Sequence, residues 1–460
     1  MSKRILQSTD PGRAYELIGE VEITSLDDVK KAVASSRKAF KVWGQLLLDE
    51  RILYLQKLVD VYTKRSDDVA EIQTKEVGKP ISQSRNDVKG DIERLKHMIE
   101  IAPKFLKPEI VDESDEQINT VYFEPYGVIA AIAPWNYPVS NFFISTVQAL
   151  LAGNTIVFKH SEECPLSSKI IDEMFKEAGF PEGVLTIIYG DGEVGKMLVD
   201  QNIDMIHFTG STHVGEYLYE LAGKKFIPAI LEMGGSSPGI IFEDADLEKA
   251  VGSVCEERYK NCGQVCCALK RLLVHKDIYE NVVEQVVEKV KGMTVGDPMN
   301  ESTFVGSLAA ERQLILLEEQ VKDAVDKGAH VLVGGHRPVG LEGAYYEPTV
   351  LSNISKDMRV YSEEVFGPVL TIVQFETEEE AIEIANDTVF GLSAFIYTED
   401  PERADRVAKQ LEAGNVSING ADYFSANSPL GGYKKSGMGS NDGKFGFYQV
   451  TQMKTVAKMK

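Results

Sequence analysis

From about residue 118 onward, short runs rich in β-branched and aromatic residues alternate with helical segments, and this alternation limits the fold more than any other feature. "INTVYFEPYGVIAAIAP", "NTIVFKH", "VLTIIYG" and "IDMIHFTG" read as strands, separated by "PLSSKIIDEMFKEAG" and "VGKMLVDQ" with helical spacing. Strands that alternate with helices form parallel sheets, because the crossover helices cover both faces. The alternation resumes after residue 265 with "LKRLLVH", "HVLVGG", "VLTIVQFET", "LSAFIYTED" and "GNVSING", so a second α/β domain is expected. Between those runs lie "EEEAIEIANDT" and "PERADRVAKQLEAG" as helices. Upstream, residues 25 to 100 read as helices with charged faces, for example "SLDDVKKAVASSRKAFKVW" and "DERILYLQKLVDVYTKRSDDVAEI". Ser25 precedes Asp27 and Asp28, acidic residues suited to a helix N-terminus.

A chain of 460 residues exceeds one simple core, so two or three domains are expected, packed closely because no low-complexity linker separates them. Apolar residues at 43% and charged residues at 26% fit an ordinary globular protein. A net charge of −22 opposes binding to nucleic acid or anionic lipid, and reads as a solvated surface. The opening "MSKRILQSTDPGRAYELIGE" has no apolar leader core, and stretches such as "FFISTVQALLAG" fall short of the roughly 20 apolar residues a membrane span needs. A cytoplasmic protein without membrane or nucleic-acid partners is the expectation. Five cysteines, odd in number and clustered, suggest a reducing compartment rather than a disulfide framework.

Three of those cysteines fall within "YKNCGQVCCALKR", residues 259 to 271. Zinc would require four closely spaced ligands, and neither a paired C-x-x-C nor a nearby histidine is present, so no metal is expected. Cys164, Cys255 and Cys267 suit small buried hydrophobes, and adjacent Cys266 and Cys267 should point different ways. A reactive thiolate needs a loop or helix end with backbone donors, and Gly263 offers close backbone approach just ahead of the second sulfur. "APWNYP" holds Asn136 in a stiff loop between Pro134 and Pro138. "LEMGGSSP" puts Glu232 at a strand end, suited to a general base, and "SEEVFGPV" puts Glu364 and Phe366 before a Gly-Pro turn. Two glycine patterns compete for a phosphate. "YGDGEVG" is a literal G-x-G-x-x-G but reads better as a strand-to-helix turn, without a well-placed acid downstream. "HFTGSTHVG" is the better cradle: a strand ends at Gly210, Ser211 and Thr212 can cap, and a helix begins whose free N–H groups favour a pyrophosphate. Lys159 and Glu162, just past "IVF", could hydrogen-bond a ribose.

Taken in order, "PWNYP", "FKHSEECPLS", "FTGSTHVG", "LEMGGSSP", "NCGQVCCA", "EEVFGPV" and "SPLGGYKKSGMG" span nearly the whole chain. On these blocks it resembles the NAD(P)-dependent aldehyde dehydrogenase superfamily. "FKH", Ser236, "ERYKNCGQVCCALKR" and "KKSGMG" are similar to the short bacterial succinate-semialdehyde dehydrogenase-like branch. The resemblance implies an α/β fold of two Rossmann-like parallel-sheet domains plus a small β oligomerisation element. It places a cofactor-binding domain at 1–113 and 127–234, a catalytic domain at 235–439, and a bridging element at 114–126 and 440–460, pairing "EQINTVYFEPY" with "YQVTQMKTVAKMK". A homodimer or homotetramer is implied.

The resemblance further implies that Cys266 is the nucleophile, Glu232 the base and Asn136 the oxyanion donor. Trp135, Lys159, Glu162, Gly210, Ser211, Glu364 and Phe366 would contact the dinucleotide. The acid at Glu162 favours NAD, with NADP as the alternative. Tyr137, Asn141, Ile144, Lys260, Phe424 and Leu430 would line the substrate pocket. The implied activity is oxidation of an aldehyde to its acid through a cysteine thiohemiacetal and thioester, with succinic semialdehyde as the candidate substrate. An ω-carboxylate normally calls for an arginine where Ile144 stands. Lys260 could substitute for it, and a neutral aliphatic or aromatic aldehyde is the alternative. A catalytically silent binding relative is the remote reading.

Overall fold

The computed structural model describes residues 4–460. Two sheets carry the fold. The first has six strands in the order Gly437–Met438, Ala229–Glu232, Met205–Thr209, Val128–Ala133, Thr155–His160 and Leu185–Ile188, all parallel except the first. The second has seven, ordered His330–Val333, Thr349–Ser352, Val369–Phe375, Leu269–His275, Ser237–Ile241, Ser393–Tyr397 and Asn415–Ile418, again parallel but for the first. The expected α/β architecture with small antiparallel additions is therefore present. Gln117–Pro125 pairs antiparallel with Thr451–Met459 on one side and with Glu109–Glu113 on the other.

Two boundaries in the structure are finer than the sequence pattern. The stretch "INTVYFEPYGVIAAIAP" is two strands in different sheets, Gln117–Pro125 and Val128–Ala133, parted at Gly127. The helical stretch from Leu48 onward divides at Arg65 into Leu48–Lys64 and Ser66–Val77, and the second restarts with Asp67 and Asp68 in its first turn. Polar, locally bonding residues such as these favour helix starts over helix interiors. The apolar "FFISTVQALLAG" lies within one buried helix, Pro138–Ala152. Here the helix packs on all sides, so its amphipathic period vanishes. Its Phe142 meets the rings of Phe143, Phe158 and Phe175 edge-on at 4.8–5.5 Å between centroids.

Parallel strands of the first sheet end at Ala133, His160, Thr209 and Glu232, so the loops carrying Asn136, Glu162, Ser211 and the Glu232 side chain gather along one edge. Ligands bind at this edge of open α/β sheets. The second sheet begins there too, since Cys266 and Phe366 immediately precede Leu269–His275 and Val369–Phe375. Gly78 and Gly306 close the seam between the two units. Gly78 adopts φ +77°, and a Cβ there would meet Ser307 Oγ at 2.1 Å, while a Cβ on Gly306 would meet the Gly78 carbonyl at 2.0 Å. Only glycine allows that approach.

Glu76, buried on Ser66–Val77, caps a second helix across the fold. Its carboxylate accepts from Ser8 Oγ at 2.6 Å and from Leu166 N, Ser167 N and Ser167 Oγ, each at 2.7 Å. Negative charge at a helix N-terminus is favourable, and losing it would strand several buried donors. Glu76→Leu is expected to destabilise the protein by about 3 kcal/mol in denaturant unfolding. Stability within 0.5 kcal/mol of the parent, the usual range for surface substitutions, would contradict this capping role.

Candidate active site

The turn ahead of Cys266 is held against its own backbone preference. Helix Leu247–Tyr259 runs into a 3-10 turn in which Asn261 (φ 49°), Cys262 (φ 56°) and Gly263 (φ 72°) are all left-handed. For a non-glycine residue such a conformation costs on the order of 1–3 kcal/mol. Hydrogen bonds from every side offset it. Asn261 Nδ2 donates to the carbonyls of Asn136 (2.9 Å) and Gln264 (3.2 Å), and Gln83 Oε1 accepts from Asn261 N at 2.8 Å. Gln264 Oε1 accepts from Ala309 N at 2.9 Å, and buried Arg258 donates to the Gly263, Val365 and Gly367 carbonyls. A Cβ on Gly263 would lie 2.2 Å from the Gly367 carbonyl, which explains the glycine expected beside the sulfur.

Five free cysteines fall into two kinds. Cys164, Cys255, Cys262 and Cys267 are buried, with thiol pKa values raised; burial leads in the first three, and the Cys266 sulfur leads for Cys267. Cys266 is half-buried and its thiol lies below the ordinary cysteine range. The Cys267 thiol stabilises its charged form most, followed by the Lys270 ammonium, both working against burial and Glu364. The two adjacent sulfurs thus shift one another in opposite senses. Among the described residues no group of three or more His, Cys, Asp or Glu side chains is arranged to hold a metal ion.

Asn136 is hydrogen-bonded to that loop, and Glu232 feels the charge of its Cys266 sulfur. Asn136 is buried; its Nδ2 donates to the Gln264 carbonyl at 3.0 Å, and its Oδ1 accepts from Asn141 Nδ2 at 3.2 Å. Asn141, expected as pocket lining, therefore fixes which end of the amide faces the cysteine loop. Glu232 is 6% exposed, and its carboxyl is pushed well above the usual range by burial first, then by the charges of Cys266 and Asp442. Asn441 Nδ2 opposes this by donating to Glu232 Oε1 at 3.1 Å, and Asn441 Oδ1 lies 2.7 Å from His207 Nε2.

Lys270, absent from the sequence reading, links these groups. Its buried ammonium donates to the Gly235 carbonyl, to the Cys266 carbonyl at 3.0 Å and to Glu364 Oε1 at 2.7 Å. Glu364 Oε1 also accepts from Gly235 N at 3.0 Å. A lysine inside the apolar strand "ALKRLLVH" was the available signal, because buried lysines are rare unless paired.

The expected cofactor contacts gather beside this cluster. Trp135 meets Phe366 edge-on at 5.5 Å in an apolar slot with Val77, Cys164 and Ala309. Ser211 occupies the cap position of helix Thr212–Lys225 without bonding to it through its hydroxyl, a departure from the capping expectation. Asp191, within the rival G-x-G-x-x-G, caps its own short helix Gly192–Val199 by accepting from Glu193 N at 3.0 Å. A carboxylate already sits where a phosphate would go. Buried Lys159 lies 3.9 Å from Glu162, which is shared with an unexpected partner: Arg312 Nη2 reaches Glu162 at 3.1 Å and Glu163 at 2.8 Å.

On the far side, Tyr137 is half-buried, and its hydroxyl is pushed well above the ordinary range by burial first, then by the charges of Asp87, Cys267 and Cys266. Lys79 Nζ lies 3.4 Å over its ring and 2.6 Å from Asp87. Ile144 shares a small cavity with Arg94, Phe143 and Asp442, and Arg94 is ion-paired to Asp442. Lys260 is half-buried at the start of the strained turn, next to Glu257. Phe424 stacks on Tyr423 at 4.7 Å between centroids, and the Leu430 backbone pairs with Asn441.

A thiol biased toward its anion, a buried carboxyl and a primary amide around one loop form an acyl-transfer constellation. The chain matches the Aldehyde dehydrogenase family over residues 1–456. It is 36% identical to an aldehyde dehydrogenase of Emericella nidulans, covering 97% of this chain and 92% of that one. It is 34% identical to a succinate-semialdehyde dehydrogenase [NADP(+)] of Deinococcus radiodurans, covering 93% and 90%. An NAD+ complex of the Bacillus cereus aldehyde dehydrogenase superposes with a TM-score of 0.96 at 32% identity, covering 99% and 93%. Fold, site and likeness agree, and the chain belongs to the aldehyde dehydrogenase family.

Proposed function

We propose that this enzyme oxidises an aldehyde to its carboxylic acid with Cys266 as nucleophile, Asn136 as oxyanion donor and Glu232 as base. The observation that carries the reading is geometric: Asn136 Nδ2 donates into the cysteine loop at the Gln264 carbonyl (3.0 Å), and Lys270 ties the Cys266 carbonyl to that of Gly235, just past Glu232; the Cys266 thiol is drawn toward its anion and the Glu232 carboxyl away from its own. The Cys266 sulfur attacks the carbonyl carbon, and the oxygen takes the charge. Asn136 Nδ2, oriented by Asn141, and the Cys266 main-chain N–H stabilise it; one such donor is worth roughly 2.7–4 kcal/mol. A dinucleotide fits the helix end at Ser211, the Lys159–Glu162 pair and the Trp135–Phe366 slot, whose donors, charges and apolar faces match phosphate, ribose and ring. When bound, its nicotinamide supplies the oxidant for the departing hydride.

Acylation also retunes the base. Once the sulfur is bonded to carbon its negative charge is gone, and one of the influences that raised the Glu232 pKa disappears with it. Glu232 can then take a proton from water, whose oxygen bonds to the thioester carbon; the C–S bond breaks and the thiolate returns. Glu162 supports NAD through the ribose 2′-OH, while Arg312 shares its charge and leaves NADP tolerable.

The charge balance of the pocket favours a neutral aliphatic or aromatic aldehyde. Lys79 is matched by Asp87 and Arg94 by Asp442, so neither is a surplus cation set aside for an ω-carboxylate. Half-buried Lys260 and the Deinococcus relative favour succinic semialdehyde as a second reading. The sheet Glu109–Glu113, Gln117–Pro125 and Thr451–Met459 exposes Ile110, Val111, Met453 and Met459, which supports a homo-oligomer assembled through it. No helix among the described residues is long and apolar enough to cross a membrane, in keeping with a cytoplasmic enzyme.

Glu232→Gln is expected to release one burst of reduced cofactor and then turn over about 10²–10⁴-fold more slowly; steady turnover at the parent rate would refute the base. In the parent enzyme kcat/KM for hexanal should exceed that for succinic semialdehyde by at least about tenfold, roughly 1.4 kcal/mol in transition-state binding. The reverse order would favour the semialdehyde, and Lys260→Ala should then lose that substrate selectively.

A further inference from the structure

Behind Glu232 lies a relay of buried side chains that the proposed chemistry leaves unused. His207 is in the middle of strand Met205–Thr209, next to the strand that ends at Glu232, and the register pairs His207 with Ile230 and Thr209 with Glu232. Asn441 arrives from the far end of the chain and spans the two. His207, Asn441 and Glu232 are 1%, 2% and 6% exposed, so water does not substitute for any of them.

The hydrogen-bond sense of the relay is fixed by its ends. In the ionised form that hydrolysis needs, the Glu232 carboxylate only accepts, so the Asn441 amide presents Nδ2 to Glu232 and Oδ1 to His207. An amide oxygen only accepts as well, so His207 Nε2 carries the proton. His207 Nδ1 is then a bare acceptor, and it is buried without a partner. Leaving a buried polar atom unmatched is costly, and the bond to Asn441 Oδ1 favours the Nε2–H tautomer. Burial also holds the imidazole neutral, with its pKa pressed down to about 4.

We propose that Asn441 is a positioning residue for the base, and that His207 locks its amide so that an N–H always faces the Glu232 carboxylate. The other charged groups facing Glu232 are the Cys266 sulfur on the catalytic loop and Asp442, which is itself paired with Arg94 from helix Ile81–Phe105. Both disfavour the carboxylate. The Asn441 donor is the hydrogen bond that favours it. Removing that donor raises the pKa of Glu232, and hydrolysis, which needs the ionised form, moves to higher pH.

The inference rests on Glu232 acting as base, and the test separates the two. Acyl-enzyme decay after a single turnover is followed across pH by acid quench and intact mass, alongside the amplitude of the cofactor burst. Asn441→Ala should shift the hydrolysis midpoint upward and slow decay at pH 7 on the order of tenfold, with the burst retained. His207→Leu should shift it in the same direction, and His207→Gln, which keeps a donor, should shift it less; these variants carry the test should Asn441→Ala fail to fold. Unmoved midpoints in the variants, with Glu232→Gln still stalled, would overturn the positioning role alone. Glu232→Gln that hydrolyses at the parent rate would overturn the base itself.

Discussion

One buried ammonium holds the site together. Lys270 reaches the Gly235 carbonyl beyond the strand that ends at Glu232, the Cys266 carbonyl, and the Glu364 carboxylate. Three segments distant in sequence are thereby fixed at one point. An uncompensated buried charge is expensive, but this one has a carboxylate at 2.7 Å and two carbonyls, so its desolvation is offset by directed bonds. Its field also favours the Cys266 thiolate. Packing and reactivity therefore depend on the same atom, Lys270 Nζ.

Around that point the fold divides the labour between its two sheets. The first ends its strands in a row and delivers Asn136, Lys159, Ser211 and Glu232 to one edge. The second starts from that edge and delivers Cys266, Glu364 and Phe366 on the segments that lead into its strands. Their seam includes the glycine contact at Gly78 and Gly306 and the edge strand Gly437–Met438, which crosses from the later part of the chain to pair with Glu232 and Leu231. The strained turn at Asn261 and Cys262 exists because this seam surrounds it with acceptors and donors. A free loop would relax.

Much of this was legible in the residues because it is local. The alternation of strand and helix runs, the stiff Pro134–Pro138 loop and the acid at a strand end all announce themselves within short windows. The hairpin of Ile5–Asp10 with Glu16–Glu22 was not read, since its strands lack a strong apolar alternation and owe their form to tertiary packing; the split at Arg65 was masked because helical apolar spacing continues on both sides of it. The contacts that tune the site were beyond reach for a different reason. His207 and Asn441 are separated by 234 positions, and Arg312 and Glu162 lie in different units; no window joins them.

The proposed chemistry requires a single thiolate to be acylated in a site whose charges favour its formation and then its release. Peptide mapping by mass spectrometry of enzyme acid-quenched during aldehyde turnover tests this most directly. The acyl group should be on Cys266, with Cys164, Cys255, Cys262 and Cys267 unmodified. An adduct on another residue, or full aldehyde oxidation by Cys266→Ala, would contradict it.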